Sequence, residues 1–154
     1  MRLLPVVLAV VAIIIADQLS KYGITSHFQL YEKMPITPFF NLTLTYNPGA
    51  AFSFLSSAPG WQRPLFICIT LAAVALIIYM IRKHRQDKLF GWGLTLILAG
   101  AIGNLIDRIV IGKVVDFLDF YWGDVHFWAF NIADSAITIG AGLLIIDSFR
   151  SRKT

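Results

Sequence analysis

The groups in this chain that could do chemistry are few, and most are acids. Asp17 and Lys21 stand four apart, which places both on one helical face with the acid N-terminal to the base, the favourable order for such a pair. Gly100, Gly103, Asn104, Asp107 and Arg108 recur at i, i+3, i+4, i+7 and i+8, a single helical stripe that is part glycine and part polar. Asn131, Asp134, Ser135, Thr138 and Gly142 form a second stripe, and Asp116, Asp119 and Asp124 lie between the two. The three histidines, His27, His84 and His126, are dispersed, and Cys68 is the single cysteine. Neither a His-Glu-x-x-His nor a G-x-S-x-G element occurs, so nothing points to zinc hydrolysis or serine chemistry, and no metal or cofactor is expected.

A pair of carboxylates remains. Two aspartates held close together do not both ionise easily, so one keeps a proton while the other stays anionic. The anion can deprotonate a water as it attacks a peptide carbonyl, the acid can donate to the carbonyl oxygen, and the two titrate as a unit. Asp134 is the first candidate. It sits in an apolar stretch with no cation within four residues, where an ionisable group costs at least ~2.5–3.5 kcal/mol. Its partner would be Asp116 or Asp119, and spacing does not choose between them. Asp17 and Lys21 read as a structural pair that neutralises itself, and Arg108 as a residue that snorkels or pairs with a carboxylate.

The elements that hold these groups follow from hydropathy. Of 154 residues, 57% are hydrophobic and 14% charged, against about a quarter charged in a soluble domain. Pro64–Ile81 and Leu89–Ile106 run without a charge, each close to the roughly 20 residues that cross about 30 Å of hydrocarbon. Leu3–Ala16 extends to full length through Asp17 to Lys21, and Val125–Ile146 contains Asn131 and Asp134. The reading is one all-α membrane domain of four transmembrane helices, over about 3–24, 64–82, 89–109 and 127–148. Leu42, Leu44 and Tyr46 alternate with polar neighbours before an Asn47-Pro48-Gly49 turn, and Ala50-Ala51-Phe52-Ser53-Phe54 resumes an apolar run. This predicts a small β-hairpin or sheet over about 36–55, on the outer surface. Arg2 before an apolar run resembles a signal peptide, but a second membrane segment follows in place of a cleavage site and a soluble domain, so the segment is kept as a helix.

Eight basic residues (Arg2, Arg82, Lys83, Arg85, Lys88, Arg150, Arg152 and Lys153) fall on one side if helix 1 starts inside, against five elsewhere. That places both termini in the cytoplasm. The net charge of +4 then reflects topology and attraction to anionic membrane lipid, not a nucleic-acid footprint. In this topology the polar groups of helices 1, 3 and 4 all gather toward the outer leaflet. A small transporter would carry ionisable groups through the membrane depth. A membrane assembly factor would not need two uncompensated aspartates. Both rivals fit the distribution less well than an enzyme.

Five ordered blocks then carry a resemblance over essentially the whole chain: Asp17-Gln18-Leu19-Ser20-Lys21, NPGAAFSF at 47–54, GAIGNLIDR at 100–108, VVDFLDF at 114–120 and FNIADS at 130–135. The chain resembles the bacterial lipoprotein (type II) signal peptidases. The resemblance implies an aspartic endopeptidase of the bacterial inner membrane that removes signal peptides from prolipoproteins, cutting before a cysteine carrying diacylglycerol. It implies Asp116 and Asp134 as the catalytic pair, with Asp119 supporting at best. Asn47, Gly49, Asn104, Arg108 and Asn131 match positions that shape the site or bind substrate and the inhibitor globomycin, and Asp17 and Lys21 match a supporting pair.

Overall fold

The computed structural model describes residues 3–49, 61–84 and 86–151. The apolar run expected at Ala50–Phe54, and Arg2, Arg85, Arg152 and Lys153 of the basic set, lie outside the described residues. Among the described residues, four helices are long and apolar enough to span a bilayer: α1 (Leu3–His27), α2 (Gln62–Lys83), α3 (Lys88–Val110) and α4 (Ile132–Ser151). Between α1 and α2 come strands β1 (Lys33–Thr37) and β2 (Phe40–Asn47); between α3 and α4 come β3 (Val114–Trp122) and β4 (Val125–His126).

α3 is the hub. It packs against α1, α2 and α4, and 56% of its spanning stretch is buried, compared with 11–17% for the other helices. The other three present Leu, Ile, Val, Phe and Tyr side chains outward, as a lipid-facing surface does. Small residues on α3 let α4 approach closely. A Cβ on Gly140 would fall 2.6 Å from the Gly93 carbonyl oxygen, and one on Gly100 would meet the Ala133 carbonyl. Gly142, grouped with the polar stripe in the sequence, faces open space, so Gly140 makes the close contact instead. Cys68 is exposed on α2.

The strands form one antiparallel sheet in the order β1-β2-β3-β4. The segment after α3 that carries Asp116 and Asp119 therefore supplies a central strand. β2 carries a bulge between Leu42 and Thr45, opposite Phe117. The sheet is seated on the helices through Ile24 of α1, Leu44, Val115 and Phe117, with Phe28 and Ile132 packed against them. Beyond β4 the chain stays extended. The Phe130 carbonyl accepts from the amides of Phe117 and Leu118, and its own amide donates back to the Leu118 carbonyl. This pairing places the residue that follows, Asn131, beside Asp116. α4 consequently begins at Ile132 rather than near residue 127, and Asp134 falls in its first turn.

Candidate active site

The polar side chains of α1, α3, β3 and α4 meet at the sheet end of the bundle. Lys21 is 3% exposed and Asp17 fully buried, and their charges cannot be left unpaired in such a place. The Lys21 Nζ lies 2.8 Å from Asp17 Oδ2 and 2.9 Å from Asp107 Oδ2, and donates to Asn104 Oδ1 at 3.1 Å. All three ammonium donors are thus used. Asp17 accepts further from the Ala133 amide at 2.9 Å, which ties α1 to the start of α4. Gln18 donates to Asp17 Oδ2, to the Gly103 carbonyl and to Asp107 Oδ1. A Cβ at Gly103 would stand 2.8 Å from Asp17 Oδ2, so glycine makes room for the network.

Asp107 is part of the polar stripe, but nothing in its sequence context assigns it a partner across the fold. In the structure its Oδ2 also accepts from the Val115 amide at 3.1 Å and so clamps β3 to α3, one residue before Asp116. Its pairing with Lys21 spans 86 positions and leaves no local signal. The same holds for Arg63, which donates from Nε to the Arg108 carbonyl at 3.0 Å and from a terminal nitrogen to the Ile109 carbonyl at 2.6 Å. It thereby caps the last turn of α3.

Asn131 is fully buried at the N-cap of α4. Its Oδ1 accepts from the Asp134 amide at 2.9 Å, and its own amide donates to Asp134 Oδ2 at 3.3 Å, a reciprocal capping box. Its Nδ2 donates to Asp116 Oδ1 at 2.7 Å, to Asn104 Oδ1 at 3.2 Å and to the Val115 carbonyl at 3.1 Å. Asn104 Nδ2 in turn donates to Asp134 Oδ1 at 2.7 Å. Asn131 therefore touches both Asp116 and Asp134, and Asn104 links Asp134 to Lys21. Asp134 also lines a cleft of about 490 Å³ with Phe130, Ser135, Thr138 and Ile139, along the outer flank of α4.

Asp116 is buried on β3. Burial first, and the charge of Asp134 second, push its carboxyl up to about 7, against hydrogen bonds from Asn131 and Asn47 and the charge of Lys21. Asn47 stands at the end of β2, where its Oδ1 accepts from the Gly49 amide at 2.9 Å. Gly49 adopts φ +92°, and a Cβ there would strike the Phe66 ring, so this turn requires glycine. Arg108 packs its guanidinium 5.6 Å from the centre of the same ring and donates to the Asn104 carbonyl at 3.3 Å. Its buried Nε has no partner among the described residues.

Asp119 is placed elsewhere. Three residues along a strand reverse the face, so it projects away from Asp116. It accepts from Asn41 Nδ2 at 3.1 Å and lies 2.9 Å from His126 Nδ1 and 3.3 Å from Lys33 Nζ. Burial alone would raise its carboxyl, but the bonds from His126, Asn41 and Lys33 outweigh that and hold it below the ordinary aspartate value.

A bundle of spanning helices with buried acids gathered beneath a small sheet defines a compact membrane enzyme. A solved structure described as a bacterial membrane enzyme superposes with a TM-score of 0.86 at 34% identity, over 96% of this chain and 89% of that one. A lipoprotein signal peptidase of Shewanella piezotolerans is 57% identical over 148 residues, 94% of this chain and 85% of the relative. One of Burkholderia vietnamiensis is 54% identical over 138 residues, 90% of this chain and 83% of the relative. The family described as "Signal peptidase (SPase) II" matches residues 9–150. The chain belongs to the signal peptidase II family, and is an aspartic peptidase of the membrane.

Proposed function

We propose that Asp116 and Asp134 are the catalytic pair of a peptidase that removes signal peptides from prolipoproteins, cutting before a cysteine that carries diacylglycerol. The observation that carries this reading is Asn131, whose side chain and backbone bond Asp116 at 2.7 Å and Asp134 at 3.3 Å, so that both acids are held by one residue. Asp134 accepts at both oxygens, from Asn104 and Asn131, an arrangement suited to the base. Asp116, with its carboxyl up at about 7, is suited to keep a proton near neutrality. Asp134 takes a proton from water as the oxygen attacks the scissile carbonyl, and Asp116 donates its proton to the carbonyl oxygen. On collapse of the tetrahedral intermediate, Asp134 passes its proton to the leaving amine and Asp116 recovers one from the hydroxyl.

The other residues serve this pair. Asn104 and Asn131 orient the two carboxyls, and Asp17 and Lys21 hold α1 against α3 and α4. Asn47, Gly49 and Arg108 shape the opening, where globomycin-type inhibitors would compete with substrate. The 154 residues act as one membrane domain of the bacterial inner membrane, with both termini cytoplasmic and the acids near the outer leaflet. A signal peptide is an apolar helix, so it enters sideways from lipid, and its diacylglyceryl chains stay in the bilayer. The cleft beside Asp134 opens along the lipid-facing flank of α4, as such an entry needs. The test is cleavage of a diacylglyceryl-cysteine signal-peptide substrate by the purified protein. Asp116→Asn and Asp134→Asn should each abolish it while the protein stays folded; normal cleavage by either variant would refute the pair.

A further inference from the structure

At the end of the bundle away from the acids, the α1 and α2 backbones stay more than 8 Å apart, Cα to Cα, among the described residues, and both helices pack on α3. Between them runs an apolar groove of about 240 Å³, walled by α1 from Leu3 to Val11 and by Ile78 of α2, with Leu98 of α3 as its floor. Its one charged lining group is Arg82, at the mouth. The guanidinium is exposed and makes no ion pair or hydrogen bond among the described residues. Lys83 follows it in the chain, and no acid lines the groove.

We infer that this groove is a binding site for one acyl chain of an anionic phospholipid, with the lipid phosphate on Arg82. Its dimensions select the occupant. Leu3 to Val11 spans eight helical steps, about 12 Å at 1.5 Å each, which approaches half of the ~30 Å hydrocarbon core and so one leaflet. A single chain fits. The charge selects the headgroup: a guanidinium forms paired hydrogen bonds to phosphate oxygens, and its positive charge favours a lipid with net negative charge over a zwitterionic one. The site lies in the leaflet opposite the acids, so it anchors the α1–α2 side of the bundle without touching the peptidase chemistry.

Native mass spectrometry of the purified full chain, with phosphatidylglycerol and phosphatidylcholine of matched chains as probes, tests this. Wild type should retain phosphatidylglycerol about fivefold over phosphatidylcholine, the ratio that ~1 kcal/mol per basic residue at an anionic surface gives. Arg82→Ala should lose the preference, and Arg82→Lys should keep most of it. Val7→Trp, which fills the groove from an exposed position of α1, should release the lipid while the melting temperature shows the fold intact. Equal retention of both lipids by wild type, or unchanged preference in Arg82→Ala, would overturn the assignment. So would a dimer that Val7→Trp dissociates, since a second chain would then fill the groove.

Discussion

Asp116 and Asp119 lie on one strand, three residues apart and both nearly inaccessible, yet the fold makes opposites of them. Asp116 faces the α3–α4 junction, where Asp134 is the nearby charge and burial dominates, and its carboxyl rises to about 7. Asp119 faces Asn41, Lys33 and His126 from the neighbouring strands, and its carboxyl falls. Burial alone therefore does not make a reactive acid. Asp116 is the more deeply desolvated and has Asp134 against it, whereas the bonds from His126, Asn41 and Lys33 outweigh burial at Asp119, and both differences follow from the strand face.

The sharpest way to break the contrast is to neutralise each acid in turn. Asp116→Asn and Asp134→Asn should lower kcat for signal-peptide cleavage by about 10²–10⁴-fold, the span of general acid–base catalysis. Asp119→Asn should stay within about twofold of wild type, because Lys33 and His126 can turn to water. Equal losses from Asp116→Asn and Asp119→Asn would erase the distinction between the two acids. Next in size is Lys21→Met, which leaves Asp17 and Asp107 buried without their cation. Removing one partner of a buried ion pair costs about 3–5 kcal/mol, so thermal unfolding should show a large loss of stability. A smaller effect follows from Asn131→Ala, which removes the N-cap of α4. The stability loss should be about 1–2 kcal/mol, accompanied by a shift of the pH–rate profile, because the hydrogen bond that lowers Asp116 is gone.

The two acids should also respond to pH in opposite windows. The folded value of Asp116, about 7, is above the roughly 3.9 of an unfolded aspartate. The folded state therefore holds the proton more tightly, and this contribution to stability is full below ~3.9 and lost as pH rises through about 7. Activity that needs the Asp116 proton should fall over the same upper limb, and the limb should vanish from the stability profile of Asp116→Asn. Asp119 has the reverse sign. Its contribution is present above ~3.9 and lost as pH falls through its lowered folded value. Asp119→Asn should remove only this acid-side loss, as unfolding measured across pH would show. Of all these, it is the smallest effect, since the Lys33 side chain is 48% exposed and screened by water.

Much of the molecule was readable from local pattern. Charge-free runs mark α2 and α3, and the spacing of Asp17 and Lys21 places them on one face because a helix repeats every 3.6 residues. The stripe from Gly100 to Arg108 reads correctly as an inward face of α3, since glycine and polar groups are both poorly suited to lipid. The segment 114–122 was harder. Its acids suggest a loop, although Val115, Phe117 and Leu118 are strand formers, and reading it as a strand would have put Asp116 and Asp119 on opposite faces at once. The start of α4 was hidden too, because Phe127 to Phe130 are apolar enough to join the helix by hydropathy, and only their pairing with β3 keeps them extended.

By itself, the sequence determined which segments enter the membrane, which residues share a helical face, and, through five ordered blocks, the family to which the chain belongs. These are local properties, set by transfer from water and by backbone periodicity. Only the tertiary structure decided that Lys21 answers both Asp17 and Asp107, that β3 lies beside β2, and that Asn131 stands between Asp116 and Asp134. Each of these joins residues from different elements. Their meeting depends on how glycine seams, the seat of the sheet and the capping of α4 fit together at once, and no spacing along the chain encodes that fit.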